Sequence, residues 1–290
     1  MKILLIGKNG QLGSQIDEIA RKRGHAISSF GKKELNILKK RQLKKTLDKV
    51  NPEIVINTAA YHVVPDCEKY PDKAFQINAV AQKNLADICH TKKIRLVYYS
   101  TDKVFDGNKR RPYKESDVTN PIQIYGLSKL AGELITLNYN SDSIVIRTCG
   151  IFGGLTGSRE KKGNFVLYIL QQAKQSTELT ISSEQVASFV NAYDLATATL
   201  DLLEKNVKSG IYNVVNEGYD SWANFAKEII KIKKLSLIIK PVNRKGMHGD
   251  TRNPIFTPLD TSKIKSYKIL LPTWQNALKR YLSFLERNGI

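Results

Sequence analysis

Five short runs of apolar and β-branched residues, at 2–6, 25–30, 53–58, 95–99 and 143–148, punctuate the first half of the chain, and stretches of helical period separate them. A strand that returns to its sheet through a helix runs parallel to its predecessor, and a parallel sheet is buried on both faces. Near-continuous apolar runs joined by amphipathic helices therefore predict an α/β fold with a doubly wound parallel sheet. The face Ala74, Ile77, Ala81, Leu85 and Ile88 has core spacing in an expected helix over 72–92. Another helix is expected over 35–49.

The first strand runs into Gly7-Lys-Asn-Gly-Gln-Leu-Gly13 and then an amphipathic stretch to about Gly24. Strand, glycine turn and helix in that order let a backbone approach a pyrophosphate, with the helix amino terminus aimed at it. Gly7, Gly10, Gln11, Leu12 and Gly13 are thus candidate cofactor residues, and the sheet is Rossmann-type. The second strand ends in Ser28-Ser-Phe-Gly-Lys-Lys33 without an acid. An acid there would suit the ribose of NAD, whereas Lys32 and Lys33 suit the 2′-phosphate of NADPH. NADPH is the expected cofactor; NADH stays open because Glu34 can serve a ribose hydroxyl. Small residues after the third strand let a cofactor lie against the backbone, which marks Ala59, Ala60, Tyr61 and His62 as its wall.

After residue 148 the rhythm changes. Residues 150–164 are glycine-rich and basic and read as a loop; helices are expected over 165–175, 193–204, 222–233 (capped by Ser221) and 273–287. Strands are expected near 178–181, 210–215 and 235–242, and a loop over 244–258. Residues 1–149 with roughly 186–215 read as the dinucleotide-binding domain. Residues 150–185 and 216–290 read as a smaller C-terminal α/β substrate-binding portion.

The fourth strand leads through Ser100, Thr101 and Asp102 to Tyr125-Gly-Leu-Ser-Lys129. Four residues apart on a helix, the phenol and the ammonium share a face. A neighbouring cation lowers a phenol from its ordinary value near ~10, which makes it a usable general acid or base. Thr101 or Ser100, at the strand's carboxyl end, can hold the same reacting oxygen.

Composition narrows the rest. With 41% apolar and 25% charged residues the chain is globular, and it has neither a signal-like leader nor a membrane-length apolar run, so a cytoplasmic protein is expected. Cys67, Cys89 and Cys149 and four scattered histidines fit neither a disulfide framework nor a metal site. The net charge of +19 invites an anionic partner, yet the basic residues are dispersed and no nucleic-acid module accompanies them, so no nucleic-acid partner is expected.

The glycine turn, Asn57-Thr-Ala-Ala-Tyr61, Ser100-Thr-Asp-Lys-Val-Phe-Asp-Gly107, Pro112-Tyr-Lys-Glu115, Asn120-Pro121 and Tyr125-Gly-Leu-Ser-Lys-Leu-Ala-Gly-Glu133 resemble the extended short-chain dehydrogenase/reductases. Within them the match is to the dTDP-4-dehydrorhamnose reductase family. It continues through Arg147-Thr148, Gly163-Asn-Phe-Val166, Tyr193-Asp-Leu-Ala196, Ser221-Trp222 and Arg252-Asn-Pro254. The resemblance implies reduction of the C4 ketone of a dTDP-linked 6-deoxyhexose, a nucleotide-sugar substrate. It implies NAD(P)H bound over Gly10 to Leu12, Ala60 to His62, Tyr99 and Lys129. Tyr125 would protonate the new alkoxide, Lys129 lower the phenol pKa and hold the nicotinamide ribose, and Thr101 bond the reacting oxygen. Thr101, Asp102, Lys103, Gly150, Asn164 and Arg252 fall at the implied substrate site, and a homodimer is left open.

The chain departs from the family at Lys103, which replaces a tyrosine, at Cys149-Gly150, which replaces a serine and a pocket tryptophan, and in Glu184-Gln-Val-Ala-Ser-Phe-Val190. Losing an indole would remove contact surface from the sugar pocket. Two other readings stand beside the reductase. Thr101-Asp102-Lys103 is similar to the triplet of nucleotide-sugar dehydratases, so dehydration or epimerisation on the same scaffold is one. The other is a non-catalytic NADP-binding subunit, similar to the β subunit of methionine adenosyltransferase.

Overall fold

The computed structural model describes residues 1–155, 163–243, 247–248 and 251–290. Its centre is a six-stranded sheet of β1 (Lys2–Ile6), β2 (Ala26–Phe30), β3 (Ile54–Asn57), β4 (Arg95–Thr101), β5 (Ser143–Thr148) and β10 (Gly210–Asn213). The order is β10-β5-β4-β3-β1-β2 and every pairing is parallel. Every residue of β4 and β5 is buried, as expected of strands with helices on both faces. The order reverses beside β1, so β1, β3 and β4 deliver their carboxyl ends to one crevice, where open α/β sheets bind ligands.

Helices α1 (Gln11–Lys22) and α8 (Ala192–Glu204) cover one face. Helices α2 (Lys40–Val50), α5 (Ala81–Thr91) and α6 (Ile124–Tyr139) cover the other. Ile3, Leu5, Ile16, Val97, Ile144 and Leu200 form the heart of the first core; Leu4, Ile6, Leu43, Val55, Leu85 and Leu96 form the second. Adjacent residues of β1 enter opposite cores, the period-2 consequence of a strand buried on both sides. Each fully buried aliphatic side chain contributes about 1.5–3 kcal/mol of transfer free energy.

A third core joins α7 (Phe165–Gln172), α9 (Trp222–Lys233) and α11 (Trp274–Arg287) around Phe152, Phe189 and Phe225. Two small strand pairs lie beside it: β6 (Gly150–Phe152) with β9 (Phe189–Asn191), and β7 (Glu178–Ser182) with β12 (Ile238–Val242). Leu259, Ile264 and Ile269, late in the chain, pack instead on the first core. No helix among the described residues is long and apolar enough to cross a membrane.

Several element bounds differ from expectation for local reasons. The helix expected from 35 starts at Lys40, because Asn36 Oδ1 accepts the Leu38 amide at 3.0 Å and holds a turn instead. The helix expected over 72–92 is preceded by a helical turn, α3 (Val64–Lys69), and then runs through α4 (Pro71–Phe75) and a π-turn at Gln76–Val80. The expected loop over 150–164 opens with strand β6, and the rest of that expectation falls largely on 156–162, outside the described residues. Ser221 does cap α9, its hydroxyl accepting the Asn224 amide at 3.1 Å.

Candidate active site

Steric need explains the glycine turn. Gly7 has φ +97, and a Cβ on Gly13 would lie 2.1 Å from the Gly7 carbonyl oxygen, so only hydrogen fits where α1 crosses the end of β1. The N-cap of α1 is Gly10, with no side-chain capping bond and no acid in the first turn. Its first amides are therefore available to an anion, and the dipole favours one. Gln11 is half turned away from this role, because its Nε2 donates to the Gly153 carbonyl at 2.8 Å and ties the turn to the strand after β5. Leu12 is buried in the first core. Lys32 and Lys33 are exposed just past β2, while Glu34 bonds Lys8 and the Gly31 amide, both at 2.7 Å.

Ala59, Ala60, Tyr61 and His62 leave the end of β3 beside this turn. A buried polar relay fixes that backbone. Asn57 Nδ2 donates to Gln82 Oε1 at 2.8 Å, and Gln82 Nε2 donates to Thr136 Oγ1 on α6 at 2.8 Å. Asn78, presented by the π-turn, accepts the Tyr61 amide at 2.8 Å and donates to the Tyr61 carbonyl and to Ser128 Oγ, each at 2.9 Å. One carboxamide thus joins the candidate cofactor wall to the helix that carries Tyr125 and Lys129. Gly132 lets that helix close down: a Cβ there would meet the Asn78 carbonyl at 2.2 Å and the Tyr98 hydroxyl at 2.3 Å. Sequence reasoning missed Asn57, Asn78 and Gln82. The available signal was Asn78 and Gln82, four residues apart beside the apolar face of that helix.

At the carboxyl end of β4 Thr101 stands next to the phenol of Tyr125, and its hydroxyl donates to Asp102 Oδ1 at 3.1 Å. Asp102 Oδ2 accepts from Thr257 at 2.6 Å, and both residues are buried. Burial pushes the Tyr125 phenol well above its ordinary value; the neighbouring Thr101 hydroxyl opposes this and the Asp102 charge adds to it. Desolvation thus outweighs any lowering of the phenol by the Lys129 charge. The Lys129 ammonium is 3% exposed and sits 4.1 Å from the Tyr98 ring centroid. Burial pushes it down to about 7, against the opposing charge of Glu133.

That shift makes a pH prediction. The folded lysine sheds its proton near 7 and the unfolded one near 10.5, so between those values the unfolded chain holds more protons and stability rises with pH. The penalty is complete below about 7 and vanishes above 10.5. The stability difference between wild type and Lys129→Met, from urea midpoints across that range, is expected to shift toward wild type as pH rises. A flat difference would refute a buried, depressed ammonium.

Other expected contacts are placed differently. The Tyr99 hydroxyl, expected at the cofactor, pairs with Thr199 of α8 at 2.7 Å inside the first core. Tyr99 and Tyr98 point to opposite faces of β4, and the face that takes Tyr99 is closed by α8. Asn164, expected at the substrate, is buried: its Oδ1 caps α7 through the Val166 amide at 3.0 Å and its Nδ2 donates to Tyr281 at 2.9 Å. Lys103 is half-buried, and its backbone amide donates to Thr101 Oγ1 at 3.2 Å. Arg252 is exposed on the short strand Thr251–Arg252. Gly150 follows Thr148, the register partner of Thr101. The space a Cβ would take at Gly150 is filled by Trp222, whose Cη2 lies 2.6 Å from that position. The ring that closes this space comes from α9, from the Ser221-Trp222 pair within the matched motifs.

The comparisons with known proteins agree with this architecture. The chain is 33% identical over 281 residues to the spore coat polysaccharide biosynthesis protein SpsK of Bacillus subtilis, covering 97% of this chain and 96% of that one. A crystal structure of a dTDP-4-dehydrorhamnose reductase from Clostridium acetobutylicum superposes with a TM-score of 0.92 at 30% identity, covering 99% of this chain and all of that one (100%). One of a dTDP-4-dehydrorhamnose reductase from Bacillus anthracis in complex with NADP gives 0.91 at 30% identity, with 99% and 100% covered. A model of the RmlD substrate binding domain matches residues 1–287, nearly the whole length over which the sheet, the glycine turn and the Thr101, Tyr125 and Lys129 cluster are built, and the chain belongs to that family.

Proposed function

We propose that the chain reduces the C4 ketone of a nucleotide-linked 6-deoxy-4-ketohexose, of the dTDP-4-dehydrorhamnose kind, with NADPH as reductant. The observation that carries this reading is the convergence of Thr101, at the carboxyl end of β4, and Tyr125, at the start of α6, with Lys129 one helical turn further on. Relatives of like length named dTDP-4-dehydrorhamnose reductase, one of them holding NADP, support it.

The residues fit a dinucleotide. The uncapped amides after Gly10 suit a pyrophosphate, and the glycine contacts leave no side chain in its way. Gly10, Gln11 and Leu12 would offer backbone amides, with Gly7 and Gly13 allowing the approach. Ala59 to His62 would flank the cofactor, Lys129 hold the ribose, and Lys32 and Lys33 take the 2′-phosphate. When bound, NADPH supplies a hydride to C4.

The chain's own part is protonic. Tyr125, kept protonated by burial, gives its Oη proton to the substrate oxygen as negative charge grows there. Thr101 would hold the same oxygen by turning its one hydroxyl proton to it from Asp102 Oδ1, while Asp102 stays anchored by Thr257. The ammonium form of Lys129, one helical turn from Tyr125, would offset the charge of the phenolate left behind, which regains its proton from solvent once the alcohol departs. Ketone, hydride and proton together balance to the alcohol. In this reading residues 1–149 with 186–215 bind the cofactor, and 150–185 with 216–290 close over the sugar.

Purified protein given dTDP-4-dehydrorhamnose is expected to oxidise NADPH in step with formation of the product alcohol. Tight NADPH binding with no oxidation would defeat the assignment.

A further inference from the structure

One aromatic group lies at the edge of the candidate site without a role in the chemistry above. Trp222 is the first residue of α9, half-buried, and its six-membered ring approaches Gly150: a Cβ built there would lie 2.6 Å from Cη2 and 3.0 Å from Cζ2. Gly150 stands two residues past Thr148, which pairs in register with Thr101. Cys149 lies between them, so this stretch continues directly from the register partner of Thr101. The indole therefore lies against the segment that leaves the carboxyl end of β5, next to the strand that ends in Thr101.

The indole is also rigidly backed. Phe165 meets it edge-on, with centroids 4.7 Å apart at 70°, and Phe189, the register partner of Gly150, does the same at 5.1 Å and 85°. Its backbone amide donates to the Gln185 carbonyl at 3.2 Å. A large apolar ring held from behind, beside polar catalytic groups, is suited to the C–H face of a pyranose, which presents ring hydrogens rather than hydroxyls.

We propose that Trp222 is the aromatic wall of the substrate site, contacting the apolar face of the hexose, and that Gly150 is glycine to leave room for it. The proposal rests on the reductase reading for its substrate and deepens it by naming a specificity-determining residue. Trp222→Phe keeps an aromatic ring against Phe165 and Phe189 but shortens its reach. Gly150→Ala keeps the indole and pushes it off its position. Because φ at Gly150 lies outside the left-handed region, alanine meets only the indole there.

Both variants are expected to raise KM for dTDP-4-dehydrorhamnose about tenfold, with kcat changed far less and NADPH affinity untouched, since a face that binds ground and transition states alike moves KM alone. An unchanged KM in both variants, with folding verified by melting, would overturn the proposal. A second measurement separates it from the reductase reading. The chain has two tryptophans, and Trp274 is buried in the third core at 3% exposure. In a Trp274→Phe background, titration with dTDP-rhamnose is expected to shift or quench Trp222 emission, whether or not the protein oxidises NADPH. Sugar-dependent emission without turnover would keep the wall and discard the reductase; turnover without any change in emission would keep the reductase and discard the wall.

Discussion

Tyr125→Phe lowers kcat by about two to four orders of magnitude, the usual contribution of a positioned general acid, while NADPH affinity stays within a few-fold of wild type. The split follows from the geometry. The phenylalanine ring keeps the packing of the phenol at the start of α6, and Lys129 and the Asn78 clamp on Tyr61 are untouched. Only the phenol hydroxyl, and with it the proton to be delivered, is removed. Single-turnover NADPH oxidation together with a fluorescence titration of NADPH measures both halves. A variant that retains turnover within tenfold of wild type would show that another group delivers the proton.

Glu133→Ala is expected to cost about 3–5 kcal/mol of stability, because it strands a buried cation. Glu133 and Arg147 have side chains only 1% and 3% exposed, and the guanidinium bonds both carboxylate oxygens, one of them through Nε at 3.1 Å. Arg147 also donates to the Glu115 carbonyl at 3.1 Å and lies over Phe105 with 5.1 Å to its ring centroid, so no solvated pose is available once the partner is gone. The pair ties α6 to β5 one turn below Lys129, and the Glu133 charge is what opposes the fall of the Lys129 pKa. The variant should therefore lose cofactor affinity as well as stability, with Glu133→Gln intermediate in both. Urea midpoints measure the first effect; a loss under 1 kcal/mol would show that the interior around Arg147 takes up water.

Much of the candidate site was legible because it is local. The glycine spacing is forced by backbone contacts between residues six apart, as the Gly13 approach to the Gly7 carbonyl shows. The phenol and ammonium share a face through the helical period alone. What the sequence did not display is where two residues distant in the chain share one polar group. Asn164 stands in a motif that resembles a substrate contact, yet α7 and Tyr281 claim its carboxamide. Tyr99 occupies a familiar place on β4, yet Thr199 takes its hydroxyl.

The sequence by itself therefore determined the alternation of strand and helix, the parallel sheet, the turn that admits a pyrophosphate and the register of Tyr125 with Lys129, because steric exclusion and periodicity act between near neighbours. Tertiary structure alone decided that Lys129 is driven down toward 7 and the Tyr125 phenol upward, that Asn78 locks the segment after β3 to α6, and that Trp222 stands where Gly150 leaves room. Those outcomes depend on desolvation and on partners supplied by other elements, and both exist only once the layers have closed.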